Sequence, residues 1–293
     1  MSSHVWLNRS LAQSTISPDY AESCAVVGLN EDGSREISLR LARFPAKNEG
    51  TLWVTACSNK DVWCAVVEGI PLGTPTERTM VETPKVRFEL TGKNHGWMTR
   101  TSKDSLQGAG KFTVGAHLST MPSPGSGPFP LVVEARFESR HRPVNVRPGR
   151  IEVMGRTLAT VRTPASSLKF QGVGKWHEQV GDRPRFAPAF TYMSVMNEHS
   201  GLLATKIQNG AFGYAWMDKE IVMVKAMEID PISQKRSFRV TLEDGRVIAG
   251  EAVTHRVITL PIEGQHRPGA TVTVKSDLGA MIGHLNDWQP EKT

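Results

Sequence analysis

Cysteine is scarce in this chain: Cys24, Cys57 and Cys64 are the only three in 293 residues, an odd count with no close pair. Neither a disulfide framework nor a cysteine knuckle for a metal is indicated, and a reducing compartment fits. Long apolar runs are missing too. No stretch approaches the ~18 residues of a membrane span, and residues 1–20 lack the hydrophobic segment of a secretory signal. The expectation is a soluble, cytoplasmic protein without a membrane span. A strong excess of one charge is also absent. The formal net charge is only +6, and basic groups such as Arg140-His-Arg142 and Arg147 to Arg150 are scattered. With no basic helix and no zinc-ligand spacing, a solvated basic surface is expected, and nucleic acid is not an expected partner.

Several catalytic signatures are missing as well. There is no Gly-x-Ser-x-Gly elbow, and the three cysteines sit in apolar runs where burial leaves a thiol inert. Gly172-x-Gly174 lacks the third glycine and the βαβ frame of a dinucleotide site, and no phosphate-binding loop occurs, so no cofactor is expected. His255, His266 and His284 are far apart and have no helical or cysteine-paired spacing, so no metal is expected.

What the chain does have is glycine (26), proline (18) and short alternating apolar segments, which indicate an all-β fold. Ser23-Cys-Ala-Val-Val27 and Glu36 to Ala42 flank an Asn30-Glu-Asp-Gly33 turn, and Thr51 to Cys57 and Val62 to Val67 flank Ser58 to Asp61. Gly69 to Pro84 reads as a loop, as does Met121 to Pro130, where proline removes the ladder donors. The second half repeats the rhythm with runs at 190–196, 202–207, 212–216, 221–227, 237–242 and 246–253, and last strands near 255–262 and 270–284. About eight strand-sized runs per half, joined by short turns, suggest two antiparallel barrels in tandem. The domains are placed at 1–150 and 151–293, with His141 to Gly149 as the linker.

The densest chemistry lies in Gly172-Val-Gly-Lys-Trp-His-Glu-Gln-Val-Gly-Asp-Arg-Pro-Arg-Phe186, expected where the two β-domains meet. Adding water across an alkene, or moving a double bond, needs an acid held against carbon in a dry pocket. Burial keeps a carboxyl protonated for that task. Glu178 is the first candidate acid, His177 a proton shuttle, and Asp218 a second acid or a water-activating base. In an extended strand His177 and Glu178 point to opposite faces, so both can line one pocket only if the segment turns. Each has a plain structural alternative: an ion pair of Glu178 with Arg183 or Arg185, a turn role for Asp218, a backbone-bonded His177. Trp176, Tyr192, Tyr214 and Trp216 are candidate pocket walls or ordinary core aromatics. Arg183, and His95 beside Trp97, complete the candidate substrate contacts.

Three segments, Gly172-Val-Gly-Lys-Trp-His-Glu-Gln179, Gly213-Tyr-Ala-Trp-Met-Asp218 and Val240-Thr-Leu-Glu-Asp-Gly-Arg-Val247, carry a resemblance to a family. The chain resembles the tandem lipocalin-like proteins related to carotenoid 1,2-hydratase (hydroxyneurosporene synthase), whose wider relatives include fungal Diels-Alderases. Where such relatives carry Arg-Asp-His-Ser-Trp-Gly, this chain has Lys175-Trp-His-Glu-Gln-Val180, with the acid after the histidine and the tryptophan before it. The resemblance implies two lipocalin-like β-barrels facing one apolar pocket, with chemistry on isoprenoid-, steroid- or polyketide-like molecules and no organic cofactor. The resulting expectation is a cofactor-independent hydratase, dehydratase or isomerase whose partner is a small hydrophobic unsaturated molecule. A non-catalytic carrier, and a cyclase working mainly by holding its substrate in shape, are the alternatives.

Overall fold

The computed structural model describes residues 17–72, 80–83, 86–93, 111–121, 129–182, 188–217, 219–262 and 265–289. Among them there is no α-helix, and the all-β expectation holds. The chain divides into two compact units. One comprises Met1–Asn30 and Ser34–Arg183, the other Glu31–Gly33 and Pro184–Thr293.

The first unit contains β1 (Ala21–Leu29), β2 (Glu36–Phe44), β3 (Glu49–Cys57), β4 (Val62–Pro71), β5 (Met80–Glu82), β6 (Val86–Lys93), β7 (Lys111–Met121), β8 (Phe129–Ser139), β9 (Val144–Arg147), β10 (Arg150–Arg162) and β11 (Ser167–Gly181). They form one curled antiparallel sheet in the order β4-β3-β2-β1-β11-β10-β8-β7-β6-β5, with β9 paired beside β10. Two meanders are thus joined by a non-local pairing: β11 lies between β1 and β10. One face gathers Val26, Leu39, Leu41, Leu52, Val54, Val133, Val153 and Trp176 into an apolar core. Strict alternation produces that face, because successive side chains on a strand point to opposite sides.

The second unit is an up-and-down barrel of eight strands: β12 (Phe190–Met196), β13 (Ser200–Ile207), β14 (Gly210–Met217), β15 (Glu220–Ile229), β16 (Lys235–Leu242), β17 (Val247–Ile262), β18 (Gln265–Ser276) and β19 (Gly279–Trp288). Pairing of β12 with β19 closes it and leaves no edge strand to template association. Met193, Val195, Leu202, Ala204, Ala215, Val240, Leu242, Val272 and Leu285 fill the lumen. One end of the lumen carries an ion pair, with Arg236 Nη1 at 2.6 Å and Nη2 at 3.3 Å from the Asp287 carboxylate. Arg236 Nε also donates to the Asp230 carbonyl, and Thr191 Oγ1 donates to Asp287 Oδ1.

Several sequence readings change. His141 to Gly149, read as a linker, contains β9, and β10 and β11 are hydrogen-bonded into the first sheet, so that unit runs to Arg183 rather than to 150. The segment read as a loop from Gly69 holds the end of β4 and all of β5. In the second unit, the runs at 246–253 and 255–262 are one strand, β17, whose pairing slips by a bulge between Thr254 and Arg256. The expected strand at 270–284 is interrupted by a turn at 277–278, closed by Gly279, whose φ of 88° favours glycine, with Ser276 Oγ accepting from Leu278 N. The proline-rich segment 122–128 lies outside the described residues.

Candidate functional site

The motif from Gly172 to Gly181 is not a turn but the central strand of the first sheet, so the parity of each residue fixes its face. Even-numbered Phe170 and Trp176 belong to the apolar core, and Glu178 follows Trp176 on the same side. In register, Trp176 lies between Val26 of β1 and Val153 of β10, and Glu178 lies between Cys24 and Ile151. Trp176 is fully buried and Glu178 is 2% exposed. The indole Nε1 donates to Glu178 Oε1 at 2.9 Å, which holds the carboxyl in one rotamer against the core. Burial, together with the charge of Glu178, pushes the Cys24 thiol well above its ordinary range.

More polar groups share this inner face at the same end of the strands. Glu22 precedes Cys24 by two residues, and Arg43 follows Leu41 by two, so both point toward the core side. Glu22 and Arg43 are direct cross-strand neighbours, with Nη1 and Oε2 3.5 Å apart, and the Tyr20 hydroxyl donates to Glu22 Oε1. Burial pulls the Arg43 guanidinium below its usual range, and Glu22 opposes that shift. The inner face is therefore graded, wholly apolar along Val26, Leu39, Ile37 and Val153, and polar where β1 and β10 begin and β2 and β11 end.

His177 occupies the other face. It lies opposite Ala25 on β1 and opposite Glu152 on β10, with Lys175 two residues before it on the same side. Glu152 is fully buried. Its Oε1 receives Arg150 Nε at 2.7 Å and its Oε2 lies 3.7 Å from Lys175 Nζ. Arg40 belongs to this face as well. It stacks 4.5 Å over the Trp53 ring and donates to Ser23 Oγ. His177 and Glu178 thus line two different surfaces, because the segment stays extended where a shared pocket required a turn.

In the second unit, Tyr192, Tyr214 and Trp216 share one face of β12 to β14. It is the face opposite the lumen, since Met193, Leu202 and Ala215 point inward. All three aromatics are buried, as are Ser194 and Thr205 beside them. Asp218, Arg183, Arg185 and His95 with its neighbour Trp97 lie outside the described residues. Among the described residues, no group of three or more His, Cys, Asp or Glu gathers as metal ligands, and no helix is long and apolar enough to cross a membrane.

Glu22, Arg43, Glu152 and Lys175 did not stand out in the sequence. For Glu22 and Arg43 the signal is one of parity. In Glu36-Ile-Ser-Leu-Arg-Leu-Ala-Arg43 the final arginine falls on the apolar side of the alternation, as Glu22 does in Glu22-Ser-Cys-Ala-Val26.

No family model matches the sequence, and no curated protein matches it. Solved structures do share its fold. A candidate AttH from Nitrosomonas europaea superposes with a TM-score of 0.61 at 11% identity, covering 92% of each chain. Kievitone hydratase from Nectria haematococca gives 0.51 at 8% identity, over 92% of this chain and 88% of that one. CghA gives 0.50 at 11% identity, over 93% and 87%. The chain therefore has the tandem β-fold that its resemblance to the carotenoid hydratase relatives implied, across nearly its whole length.

Proposed function

We propose that the protein binds a small hydrophobic, unsaturated molecule and catalyses its hydration, dehydration or double-bond isomerisation, with Glu178 as the acid. The observation that carries this reading is a carboxyl group 2% exposed on an apolar sheet face and oriented by the Trp176 indole. Protonating an alkene carbon requires a donor fixed against carbon where water does not compete. The ring face of Trp176 offers a partner for a developing cation. The fold shared with a structure named as a hydratase supports the reaction class.

A second reading has its own observation. His177 faces the fully buried Glu152 across the β10–β11 ladder, within a cluster that also holds Lys175 and Arg150. A proton transfer there would use imidazole in place of carboxyl.

The test is turnover in heavy water. A panel of isoprenoid, steroid and polyketide alkenes is incubated with the protein and read by mass spectrometry for deuterium gained at carbon. Glu178→Gln should lower incorporation by roughly 10²- to 10⁴-fold while ligand binding persists. Equal turnover by wild type and Glu178→Gln, with loss in His177→Asn, moves the chemistry to the other face. Binding without turnover by any form makes the protein a carrier.

A further inference from the structure

Arg43 is 2% exposed, and its ion pair with Glu22 leaves part of its donor fork unused. Two of its nitrogens, Nε and Nη1, are buried and form no hydrogen bond among the described residues. The nearest carboxylate oxygen, Glu22 Oε2, is 3.5 Å from Nη1, too far for a hydrogen bond of good geometry. Across the other ladder Arg43 faces Gly50, which offers no side chain, and beyond that Ile70, a core residue. A guanidinium carries five donors in a planar fork that fits a carboxylate with two parallel bonds. Leaving such donors buried and unused costs stability.

We infer that Arg43 is a recognition group for the oxyanion of an organic acid, a carboxylate at one end of the hydrophobic ligand. This rests on the reading that the inner face of the first unit is where the ligand binds. β2 and β11 flank β1 on its two sides, so the backbones of Arg43 and Glu178 are on the order of 10 Å apart, two strand spacings. The ligand is therefore an unsaturated acid whose carboxylate lies at Arg43, whose reacting double bond lies at Glu178, and whose apolar remainder follows Val26 and Leu39. Glu22 stands beside Arg43 as the competitor that the ligand carboxylate displaces from the guanidinium.

The probe is cis-parinaric acid, a fluorescent conjugated fatty acid, titrated against the protein beside its methyl ester. Wild type should bind the acid at least about tenfold tighter than the ester, because charge-assisted bonds to arginine are worth more than those to a neutral carbonyl. Arg43→Gln should bring the two affinities together, and Glu22→Gln should tighten the acid while leaving the ester unchanged. Equal affinity for acid and ester in the wild type overturns the inference, and so does a preference that survives in folded Arg43→Gln. Should Arg43→Gln fail to fold, the wild-type ratio and Glu22→Gln decide the matter. Binding of neither probe removes the ligand reading of the inner face itself, whereas tight binding of both without preference removes Arg43 alone.

Discussion

Gly174→Ala tests why β11 carries glycine at its centre. Gly28 of β1, Gly174 of β11 and Gly155 of β10 are in register across three neighbouring strands, and the Thr157 side chain leans over Gly28 and Gly174. A Cβ at position 174 would lie 2.7 Å from the Val27 carbonyl oxygen and 2.9 Å from Thr157 Cβ, and closer still to Thr157 Oγ1, inside any normal approach. Thr157 cannot simply rotate away without cost, because its hydroxyl donates to that same Val27 oxygen at 3.3 Å. Overpacking of this kind costs about 1–3 kcal/mol, and with backbone among the clashing atoms the upper end applies. For a unit of this size, about 3 kcal/mol corresponds to a melting midpoint lowered by roughly 6–12 °C.

The decisive assay is a double-mutant cycle by thermal or urea unfolding. Thr157→Ala alone loses a hydrogen bond and buried methyl contacts, and should itself destabilise. Added to Gly174→Ala it removes the Oγ1 clash, so the double variant should be at least about 1 kcal/mol more stable than the sum of the singles. Recovery stays partial, since the Val27 oxygen still crowds the new methyl. Strict additivity, or a Gly174→Ala protein within about 0.5 kcal/mol of wild type, would refute the packing account. The glycine would then serve the strand's motion or its ligand.

Trp176→Phe keeps the aromatic bulk but removes the donor to Glu178. Steady-state kinetics on any alkene found in the heavy-water screen should show kcat lowered about tenfold or more with KM little changed, and a proportional rise in KM instead would make Trp176 a binding wall. Asp287→Asn leaves Arg236 buried at the lumen end without its charge partner, at a cost of about 3–5 kcal/mol. The double variant Arg236→Met/Asp287→Leu should regain much of it in calorimetry, and no regain would deny that the loss comes from an uncompensated charge. His141 accepts from Met154 N at Nε2 and bonds the Arg142 carbonyl through Nδ1, and burial lowers its pKa to about 4. With the folded value below the unfolded one near 6.5, its contribution is complete above about pH 6.5 and is lost as pH falls toward 4. Stability measured at pH 7 and pH 4.5 should differ less in His141→Gln than in wild type, and an unchanged difference would exclude this histidine as a source of acid sensitivity.

The second unit was more legible in the sequence than the first, for a reason of contact distance. Each barrel strand pairs with its chain neighbour except at the closing β12–β19 seam, so the turns at Asn197–Ser200, Asn209-Gly210 and Glu243–Gly245 mark the ladders directly. In the first unit the pairing of β1 with β11 joins residues about half the chain apart, and no local turn records it. Without that pairing, Gly172 to Gly181 looks like a glycine-flanked connection between domains. With it, Gly172 and Gly174 are places where the neighbouring strand, and at Gly174 also Thr157, come too close for a Cβ, and Phe170, Trp176 and Glu178 are one side of a core strand.

Parity decides the chemistry available at each surface. A strand side chain and its neighbour never share a face, so the His177-Glu178 dipeptide, which reads as an acid–base pair in sequence, supplies one group to each side of the sheet. The partners that matter are then cross-strand: Cys24 and Ile151 beside Glu178, Ala25 and Glu152 beside His177. The same rule brings Arg43 and Glu22 to the face of Glu178, although more than a hundred residues of chain separate them from it. A one-residue slip of β11 against β1 would exchange the two sets and place Lys175 and His177 in the apolar core. The fully buried Trp176, wedged between Val26 and Val153, opposes such a slip, because its ring fits only the core side. The residue that orients the Glu178 carboxyl thus also opposes the slip that would carry that carboxyl off the core face.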